Sequence, residues 1–368
     1  IAADDLPRAA ALLRGANPLA AICGRVCPQE TQCEKQCHMT GRFGPVAIGQ
    51  LERYVSDWEM AQPINDEVTE PWRDEKVAII GSGPSGLVCA GELARMGYHV
   101  TVYEALHASG GVLRYGIPEF RLPNAILDWE IASLERLGVG FVNDVIIGET
   151  IKLDELFSKM GYSAAFLGTG AGLPNFLGIP GESLNGVYSA NEFLTRVNLM
   201  QAFVFLHEET SLKVGSRVAV IGSDNTAIDA VRSALRLGAE KALVVCRQGE
   251  NEMTARVEEY KHAVEEGVEF HWLTNPVEVL GEGGWVTGLE CVRMEPIEAP
   301  EFVLPVDNVV LSIGTRPNPL LSIATPGLKT HSWGGLLVDE RQVETSVHRV
   351  YAGGDAVTGA ATVILAAG

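Results

Sequence analysis

The stretch Lys76-Val-Ala-Ile-Ile-Gly-Ser-Gly-Pro-Ser-Gly-Leu87, continued by His99-Val-Thr-Val-Tyr-Glu104, decides the fold of this chain. An apolar run of strand type, 77–80, leads directly into glycines spaced Gly-x-Gly-x-x-Gly. A helix-like stretch follows, and a second β-branched run, 100–103, ends in an acid. Strand, glycine turn, helix and second strand in this order predict a βαβ unit whose turn binds a dinucleotide.

Each glycine of this turn has its own physical role. Gly81 allows the tight turn, Gly83 lets the backbone approach a pyrophosphate, and Gly86 lets helix and strand pack closely. The N-terminus of the helix then faces the phosphates. Glu104, 18 residues after Gly86, is placed to accept hydrogen bonds from an adenosine ribose. We therefore predict that every part of a dinucleotide site is present here.

Length and composition limit the class of protein. The chain has 368 residues, of which 46% are apolar and 20% charged, with 40 glycines, so two or three α/β domains are expected. No apolar stretch reaches the ~18–20 residues of a membrane span and no signal peptide is visible, so we expect no membrane association. The net charge of −19 argues against non-specific binding of nucleic acid and would suit a basic redox partner.

A second copy of the βαβ pattern lies further along the chain. Its first glycine is Gly222, 141 residues after Gly81, and its second strand, 242–246, ends in Arg247. Three further buried-strand patterns run into glycine-rich turns, at 164–170, 309–314 and 350–355. The repeat predicts one Rossmann-like nucleotide domain inserted within another.

Four of the seven cysteines lie within 15 residues, spaced Cys23-x3-Cys27-x5-Cys33-x3-Cys37. This clustering does not fit a secreted disulfide framework, so a cytoplasmic location is expected. Zinc sites usually show paired Cys-x2–4-Cys knuckles, whereas iron–sulfur clusters tolerate wider spacing. Iron–sulfur ligation is therefore favoured, and zinc or buried structural thiols are the alternatives. The other three cysteines stand alone and are expected to be small core residues.

Two helices are predicted around the cysteines. The first is capped by Asp4 or Asp5 and stops near Gly15. The second covers about residues 46–60, and apolar residues at helical spacing predict a face packed in the core. These residues are Leu51, Tyr54, Val55 and Trp58. Because the chain opens without Met just ahead of a helix and ends a few residues into another, we expect it to be a fragment.

Several longer stretches are similar to a known family. They are Cys23-Gly-Arg-Val-Cys-Pro-Gln-Glu30, Gly110-Gly-Val-Leu-Arg-Tyr-Gly-Ile-Pro-Glu-Phe-Arg-Leu-Pro123, Ala234-Leu-Arg-Leu-Gly-Ala239 and Tyr351-Ala-Gly-Gly-Asp355. With them the chain resembles, over nearly its whole length, the flavoprotein small subunit of NADPH-dependent glutamate synthase. It is also similar to the flavin-bearing half of dihydropyrimidine dehydrogenase and to the large subunit of NADH-dependent ferredoxin:NADP oxidoreductase.

The resemblance implies an α/β fold in which a small helical iron–sulfur domain precedes two nested Rossmann-like domains. We expect the iron–sulfur domain at 1–65, N-terminally truncated, followed by a linker at 61–75. An FAD domain, C-terminally truncated, would comprise 75–195 and 305–368. An NAD(P)H domain would occupy 196–304.

The resemblance also implies which residues hold FAD on the first turn. They are Gly81, Gly83, Ser85 and Gly86 for the pyrophosphate, Glu104 for the adenosine ribose, Thr169 and Gly170 for the adenine end, Gly111 and Leu113 for the flavin side, Gly354 and Asp355 for the ribityl and phosphate part, and Thr362 and Val363 for the start of a helix aimed at the flavin ring. Without the family, Asp355 is interpreted as a turn residue after a strand.

In the same family the cysteines are shared between two 4Fe–4S clusters. The resemblance assigns Cys27 and Cys33 to one cluster and Cys37 to the other, with Glu52 as a non-cysteine ligand, and leaves the role of Cys23 open. Taken by itself, Glu52 lies just off the apolar stripe of its helix, where a solvated side chain would also lie. The family uses further cysteines upstream, so both clusters are expected to be incomplete in this chain.

The second turn, Gly222-Ser-Asp-Asn-Thr-Ala227, departs from the family pattern, which mostly has glycine where Asp224 stands. A Cβ and a carboxylate at this position would hinder a pyrophosphate. The family often has two arginines at the end of the next strand, whereas here Arg247 is followed by Gln248. No acid stands there to accept a ribose 2′-hydroxyl, so NADP is favoured over NAD. The residues expected to contact this nucleotide are Gly222, Asn225, Thr226, Arg247 and Gly314.

The function that these features imply is an FAD-dependent NAD(P)H oxidoreductase. Hydride would pass from nicotinamide to flavin, and single electrons would pass through iron–sulfur clusters to a partner redox subunit or a ferredoxin-like acceptor. One alternative, favoured by Asp224, is a non-catalytic electron-transfer or assembly subunit with a degenerate nucleotide site. Another is a subunit of a bifurcating ferredoxin:NADP oxidoreductase. The absence of Cys-x4-Cys after Glu104 argues against a redox-active disulfide.

Overall fold

The computed structural model describes residues 1–63, 71–199, 214–295, 300–339 and 341–367. Residues 64–70 of the predicted linker at 61–75 and part of the predicted 196–304 domain lie outside these ranges. The helices are α1 (Leu6–Ala16), α2 (Ala20–Val26), α3 (Thr40–Phe43), α4 (Ile48–Met60), α5 (Pro84–Arg95), α6 (Val112–Tyr115), α7 (Asn124–Arg136), α8 (Leu153–Ser158), α9 (Ala190–Leu199), α10 (Asn225–Arg236), α11 (Val257–Glu265), α12 (Leu320–Ala324), α13 (Asp355–Thr358) and α14 (Val363–Ala367), with 3₁₀ turns at Gln29–Thr31 and Glu250–Glu252.

The strands are β1 (Lys76–Ile80), β2 (His99–Tyr103), β3 (Gly140–Val142), β4 (Ala164–Leu167), β5 (Leu173–Pro174), β6 (Val187–Ser189), β7 (Arg217–Ile221), β8 (Lys241–Val245), β9 (Glu269–His271), β10 (Thr274–Glu282), β11 (Trp285–Arg293), β12 (Glu301–Leu304), β13 (Asn308–Leu311), β14 (Thr315–Arg316) and β15 (Val350–Ala352). The strands that precede the two glycine turns, β1 and β7, are buried at every position after their first residue. Such continuous apolar runs are typical of strands covered on both faces of a parallel sheet.

Two parallel five-stranded sheets share the order of four of their strands. The first is ordered β15-β4-β1-β2-β3 and the second β6-β13-β7-β8-β9, so that β1 and β7 are the central strands. The order β4-β1-β2-β3 corresponds to β13-β7-β8-β9, whereas the fifth strand, β15, comes last along the chain in the first sheet and the fifth strand, β6, comes first in the second. Every pairing in both sheets is parallel. The sequence repeat between Gly81 and Gly222 is therefore also a repeat of sheet topology, and the predicted nesting of one α/β domain inside another is confirmed.

A three-stranded antiparallel sheet, β10-β11-β12, was not predicted from the sequence. Its first two strands pair from Thr274 with Arg293 to Glu282 with Trp285. They are joined at Gly283 and Gly284, which both have positive φ, as a tight hairpin turn requires.

The chain forms two compact units, and the predicted boundaries between them need correction. The first unit comprises 1–114, 119–173 and 315–368, and the second comprises 115–118 and 174–314. The boundaries therefore lie at 173/174 and 314/315 rather than at 195/196 and 304/305. The physical reason is that β6 and β13 pair in the second sheet, where Val187 stands opposite Val309. The cysteine-rich helices belong to the first unit.

The helices around the cysteines follow the prediction in part. Asp5 caps α1, because its side chain accepts a hydrogen bond from the Arg8 backbone N–H at 3.1 Å. The predicted core face of α4 is wrong for two of its four residues, since Leu51 and Tyr54 are exposed while Val55 is buried. The helix packs on α2 and α1 through another side, and this leaves part of its apolar stripe uncovered.

Arg14 links three helices of the first unit. Its side chain forms ion pairs with Glu59 of α4 at 2.8 Å and with Glu130 of α7 at 3.4 Å. The guanidinium also lies over the Trp129 ring, 4.6 Å from its centroid. Glu130 is only 3% exposed, so this arginine ties α1 and α4 to a buried carboxyl beside the first sheet. None of the described helices combines the length and apolar character that crossing a bilayer requires.

Candidate nucleotide sites and cysteine segment

The glycines of the first turn differ in what surrounds them. A Cβ built on Gly81, where φ is +100°, would lie 2.4 Å from the Gly168 carbonyl oxygen. A Cβ built on Gly86 would lie 1.9 Å from the Gly81 carbonyl oxygen. A Cβ on Gly83 meets no atom within 4 Å. The outer two glycines are therefore required by the chain's own packing, while the middle one faces open space.

A buried carboxylate holds this turn in shape. Glu104 is 6% exposed and follows β2. One of its oxygens accepts hydrogen bonds from the backbone N–H and the hydroxyl of Ser82, and the other accepts the Leu106 N–H at 3.0 Å. The Ser82 hydroxyl in turn accepts the Gly110 N–H at 2.8 Å. The predicted ribose acceptor thus already connects the glycine turn with the segment 104–110.

The segment after β15 closes against the same turn. A Cβ on Gly354, where φ is +64°, would lie 2.7 Å from the Ser85 Cβ, so the backbone passes directly over this serine. Asp355 follows, and its Oδ1 is buried without a hydrogen-bond partner among the described residues. Burial raises the pKa of the Asp355 carboxyl, and a hydrogen bond from the Ala361 backbone opposes this shift. A buried, unpaired carboxylate oxygen is costly unless a ligand or water completes it.

Two other predicted FAD segments lie against the turn. Gly111 has a φ of +52°, and a Cβ built on it would lie 3.0 Å from the Gly83 Cα. Thr169 follows β4, and its Cα lies 3.3 Å from a Cβ built on Gly81. Gly170 has a φ of +69° and open space around it. Leu113 is 1% exposed and so belongs to the core.

Thr362 and Val363 start α14, which packs on α5 and α2. The Thr362 hydroxyl accepts a hydrogen bond from the Gln32 side-chain amide at 2.5 Å. This contact joins the helix predicted to face the flavin to the residue next to Cys33.

These observations test whether the first turn fits a dinucleotide such as FAD. The space beside Gly83 admits a ligand, and the two flanking glycines keep the turn tight. The unpaired Asp355 Oδ1 calls for a hydrogen-bond donor, which ribityl hydroxyls of FAD would supply. The residues present therefore fit the group.

The second turn is closed by its own carboxylate. A Cβ on Gly222 would lie 2.1 Å from the Ser312 carbonyl oxygen. In the same way, a Cβ on Gly81 would lie close to the carbonyl oxygen of Gly168, at the end of a neighbouring strand. Asp224 has a φ of −91° and caps α10, and its Oδ1 accepts the Ala227 N–H at 2.8 Å and the Ser312 hydroxyl at 2.9 Å. Burial raises the pKa of the Asp224 carboxyl, while these hydrogen bonds lower it. Asp224 therefore uses the helix N–H that a bound phosphate would use.

The other predicted residues of the second turn lie around it. The Gln248 side-chain oxygen accepts the Ser223 hydroxyl at 3.2 Å, so the residue in place of a second arginine reaches back to the turn. Arg247 is exposed at the end of β8 and forms no ion pair or hydrogen bond with another residue of the described ranges. Gly314 has a φ of +84° and follows Ser312 by two residues. Its carbonyl accepts the Asn175 N–H at 3.2 Å.

Sequence reasoning missed the segment that covers this turn. The Ala255 N–H donates to the Ser223 carbonyl at 3.1 Å, and the Arg256 N–H donates to the Asn225 side chain at 3.0 Å. The neighbouring Thr226 is half-buried. No periodic pattern marks residues 253–256. Only their place, in the connection between β8 and α11, could have indicated a role.

The cysteines are all free thiols, and they do not form one cluster. Cys23 and Cys27 on adjacent turns of the chain hydrogen-bond to each other, and this bond together with burial raises the pKa of the Cys23 thiol. Cys37 lies apart, and hydrogen bonds from backbone N–H groups, that of Val46 foremost, lower the pKa of its thiol. Cys33 is exposed.

Glu52 lies near the first of these thiols. The Asn17 amide donates to Glu52 Oε1 at 2.9 Å, and the Asn17 Oδ1 lies 3.8 Å from the Cys23 sulfur. Burial raises the pKa of Glu52, and the Asn17 hydrogen bond opposes it. The helices approach closely here, since a Cβ on Gly24 would lie 2.8 Å from the Gly49 carbonyl oxygen.

The donor types in this segment fit thiolate ligation, but their number does not make a complete site. Among the residues that the structure describes, no three His, Cys, Asp or Glu side chains come together as a metal-ligand set. The predicted ligands Cys27, Cys33, Cys37 and Glu52 therefore do not form a complete metal site among the described residues. Cys89, Cys246 and Cys291 are single thiols, and burial raises the pKa of each to about 12.

The chain matches two protein-family models. The model of the family described as pyridine nucleotide-disulphide oxidoreductase matches residues 46–121 and 75–368. The model described as dihydropyrimidine dehydrogenase domain II, 4Fe-4S cluster, matches residues 1–64.

The sequences of several relatives match most of this chain. The glutamate synthase [NADPH] small chain of Halomonas elongata is 35% identical over 386 residues, which cover 100% of this chain and 81% of the relative. The NADP(+)-dependent formate dehydrogenase subunit beta of Moorella thermoacetica is 36% identical, with 96% of this chain and 53% of the relative covered. The chain also spans 58% of the length of AegA of Escherichia coli, at 34% identity. It is thus little more than half as long as some of its relatives.

Solved structures share the fold at lower identity. Mycobacterium tuberculosis FprA in complex with NADPH has a TM-score of 0.66 and 21% identity, covering 80% of this chain and 82% of that chain. Thioredoxin reductase of T. acidophilum has a TM-score of 0.61 and 19% identity, covering 80% and 95%.

Proposed function

Because this chain belongs to the pyridine nucleotide-disulphide oxidoreductase family, together with the small chains of glutamate synthase, we propose that it takes electrons from NADPH through bound FAD and delivers them to a partner subunit. The observation that carries this proposal is the open first turn. Gly83 faces empty space between two glycines that are closed by packing, and Asp355 Oδ1 is buried without a partner among the described residues.

The residues of the first unit would bind and orient the cofactor. Gly81, Gly83, Ser85 and Gly86 would surround the pyrophosphate, with Gly111 next to them. Glu104 would accept from the adenosine ribose with its remaining lone pairs, while Thr169 and Gly170 would cover the adenine end. Gly354 and Asp355 would hold the ribityl chain, and Leu113, Thr362 and Val363 would border the flavin.

FAD, when bound, supplies the acceptor for a hydride and the donor of single electrons. The chain's own part is positioning, and the proposal needs no side-chain acid or base. All seven thiols are free, and the disulfide named in the family description has no Cys-x4-Cys pair after Glu104 to form it.

The proposed nicotinamide nucleotide is NADP rather than NAD. Arg247 is exposed and has no carboxylate partner among the described residues, so its charge is available to a 2′-phosphate. Gly222, Asn225, Thr226 and Gly314 would complete the site.

We propose that electrons leave the flavin through clusters bound by the cysteine segment. Cys27, Cys33, Cys37 and Glu52 would serve as part of the ligand sets of 4Fe–4S clusters, which carry single electrons. The acceptor would be a partner redox subunit or a ferredoxin-like protein in the reducing cytoplasm, where clustered thiols stay free.

The first test is cofactor content and reduction. The purified protein should release about one FAD per chain on denaturation. Anaerobic mixing with NADPH should bleach the flavin absorbance faster than mixing with NADH. Arg247→Ala should slow reduction by NADPH at least about tenfold and leave NADH nearly unchanged, since one charge-assisted contact to the 2′-phosphate is lost. A folded, colourless preparation would refute the FAD assignment.

A second candidate function, electron transfer or assembly without nucleotide oxidation, is favoured by one observation. Asp224 fills the position where a phosphate would meet α10, with hydrogen bonds to Ala227 and Ser312. The two candidates differ in how the chain should respond to removal of this carboxylate.

Asp224→Gly should tighten NADPH binding roughly tenfold, because the loss of one carboxylate–phosphate repulsion is worth on the order of 1–2 kcal/mol at a partly solvated site. The same change removes the side-chain cap of α10, which costs only about a few tenths of a kcal/mol of stability when glycine takes the N-cap position. Asp224→Asn keeps a capping side chain and removes the charge, so it separates the two effects. Affinity is read by titration and flavin reduction by stopped flow.

Rapid reduction of wild type, unchanged in Asp224→Gly, would eliminate the degenerate-site function. If neither protein is reduced by either nucleotide while FAD is bound, the proposed activity is refuted for this chain.

A further inference from the structure

An apolar surface lies uncovered on the cysteine segment. Five large side chains within 16 residues are between 39 and 71% exposed; they are Met39, Phe43, Val46, Leu51 and Tyr54. Hereafter these five residues are called the cysteine-side surface. Helical periodicity predicts that Leu51 and Tyr54 belong in a core, yet α4 packs through another side. Large apolar side chains that are exposed close together along the chain are of the kind found at interaction sites.

This surface is directly adjacent to Cys37. The Cys37 sulfur accepts hydrogen bonds from the backbone N–H groups of Val46, Met39 and Thr40. Phe43 belongs to the same turn, since its N–H donates to the Met39 carbonyl at 3.0 Å. A protein that binds the cysteine-side surface therefore lies next to the Cys37 thiol, which we propose as a cluster ligand.

The charge of this stretch is opposite to that of the whole chain. Residues 34–54, which include the whole surface, contain Lys35, His38, Arg42 and Arg53 against Glu34 and Glu52, in a chain of net charge −19. None of Lys35, His38 and Arg42 forms an ion pair with another described residue, in contrast to Arg14, Arg25 and Arg114 of the same unit. The Arg42 guanidinium lies over the Phe43 ring, 5.2 Å from its centroid.

From this we propose that the cysteine-side surface docks an acidic electron-transfer protein, with an apolar patch framed by carboxylates. The inference rests on the proposed function and specifies the surface of its partner, which is acidic around an apolar patch. Aromatic residues, Met and Arg, which are the residue types of Phe43, Tyr54, Met39 and Arg42, are enriched at protein interfaces. Unpaired cations around the cysteine-side surface would attract an acidic partner, and they would repel the basic partner that the net charge alone suggests.

The test uses the whole chain with FAD and a small acidic ferredoxin as the probe, measured by calorimetry at low ionic strength. Phe43→Ala and the charge reversal Arg42→Glu should each weaken binding at least about tenfold, seen as a larger dissociation constant. Lys35→Glu should weaken it less, and raising the salt from about 50 to about 500 mM should weaken wild type more than Arg42→Glu.

Matched controls come from the same chain. Ile323→Ala removes another exposed apolar side chain, and Lys261→Glu reverses another exposed cation; both should leave ferredoxin binding within about twofold of wild type. Cytochrome c, a basic redox protein, should bind no more weakly to Arg42→Glu than to wild type. Because all substituted side chains are exposed, thermal melting should be unchanged.

Several results would overturn the proposal. One is that wild type fails to bind the acidic probe, and another is that Phe43→Ala and Arg42→Glu bind it as tightly as wild type. A third is that the chain self-associates through the cysteine-side surface in sedimentation. The fourth is that wild type binds anionic phosphatidylglycerol vesicles and these substitutions abolish that binding. Reduction of the flavin by NADPH is measured on the same samples. Loss of that reaction with intact ferredoxin binding would refute the proposed function and leave the docking surface in place.

Discussion

Gly86→Ala should prevent the first unit from folding normally, whereas Gly83→Ala should leave the fold intact and lose the flavin. A Cβ on Gly86 would lie 1.9 Å from the Gly81 carbonyl oxygen, and neither backbone can move without breaking the turn. Overpacking typically costs about 1–3 kcal/mol, and a clash between two backbone segments lies at or above the upper end of this range because no flexible side chain can move aside. Gly83 has a φ of −70°, which alanine adopts readily, and no atom lies near its Cβ position.

The two variants therefore separate folding from binding. In urea denaturation without cofactor, Gly83→Ala should stay within about 1 kcal/mol of wild type, since alanine at a compatible φ changes stability only slightly. Its affinity for FAD, followed by quenching of flavin fluorescence, should fall at least about tenfold, because the methyl group occupies the space for a close backbone approach. Tight FAD binding by Gly83→Ala would mean that the cofactor approaches another part of the turn.

The second large effect concerns Glu130, the carboxyl held by Arg14. Burial raises the pKa of Glu130 from 4.5 to about 7, although the Arg14 charge opposes this shift. A raised carboxyl pKa means that the folded state holds its proton longer than the unfolded state. Stability from this group is therefore present below pH 4.5 and is lost as pH rises towards about 7. The loss is on the order of 3 kcal/mol, since one pKa unit corresponds to about 1.4 kcal/mol.

Glu130→Gln removes the titrating proton and should remove this slope. Relative to wild type, its free energy of unfolding should rise by about 2–3 kcal/mol between about pH 5 and pH 8. The exposed Glu149 supplies the control, because Glu149→Gln removes one negative charge without a buried partner. Parallel stability curves for wild type and Glu130→Gln would show that Glu130 is ionised throughout this range.

The sequence predicted those parts of the fold that depend on neighbours along the chain. Both glycine turns, their strands and helices, and the nesting of one unit in the other follow from local patterns. The membership of β6 and β13 in the second sheet does not, because three- and four-residue strands carry too little pattern to name their partners. Their pairing joins residues more than 100 positions apart, such as Val187 and Val309.

The candidate site shows the same limit. Spacing alone predicted that Gly81, Gly83 and Gly86 belong to one turn, but only the structure distinguishes the open position from the two closed ones. Family patterns identified Asp224 as unusual, yet its hydrogen bond to Ser312, 88 residues away, could not be predicted. For α4, periodicity detected an apolar stripe but could not say what covers it.

The order that four strands of each sheet share bears on how such molecules diverge. If the two units descend from one duplicated ancestor, each inherited the same need for a glycine where a neighbouring strand closes in, at Gly168 beside Gly81 and at Ser312 beside Gly222. Selection for folding alone preserves these glycines, whether or not a ligand is still bound. The ligand-facing position is free to drift, as Asp224 illustrates. In a duplicated unit the first glycine of the turn therefore indicates common ancestry. Whether a ligand still binds depends on the residue at the ligand-facing position, which is Gly83 in the first turn and Asp224 in the second.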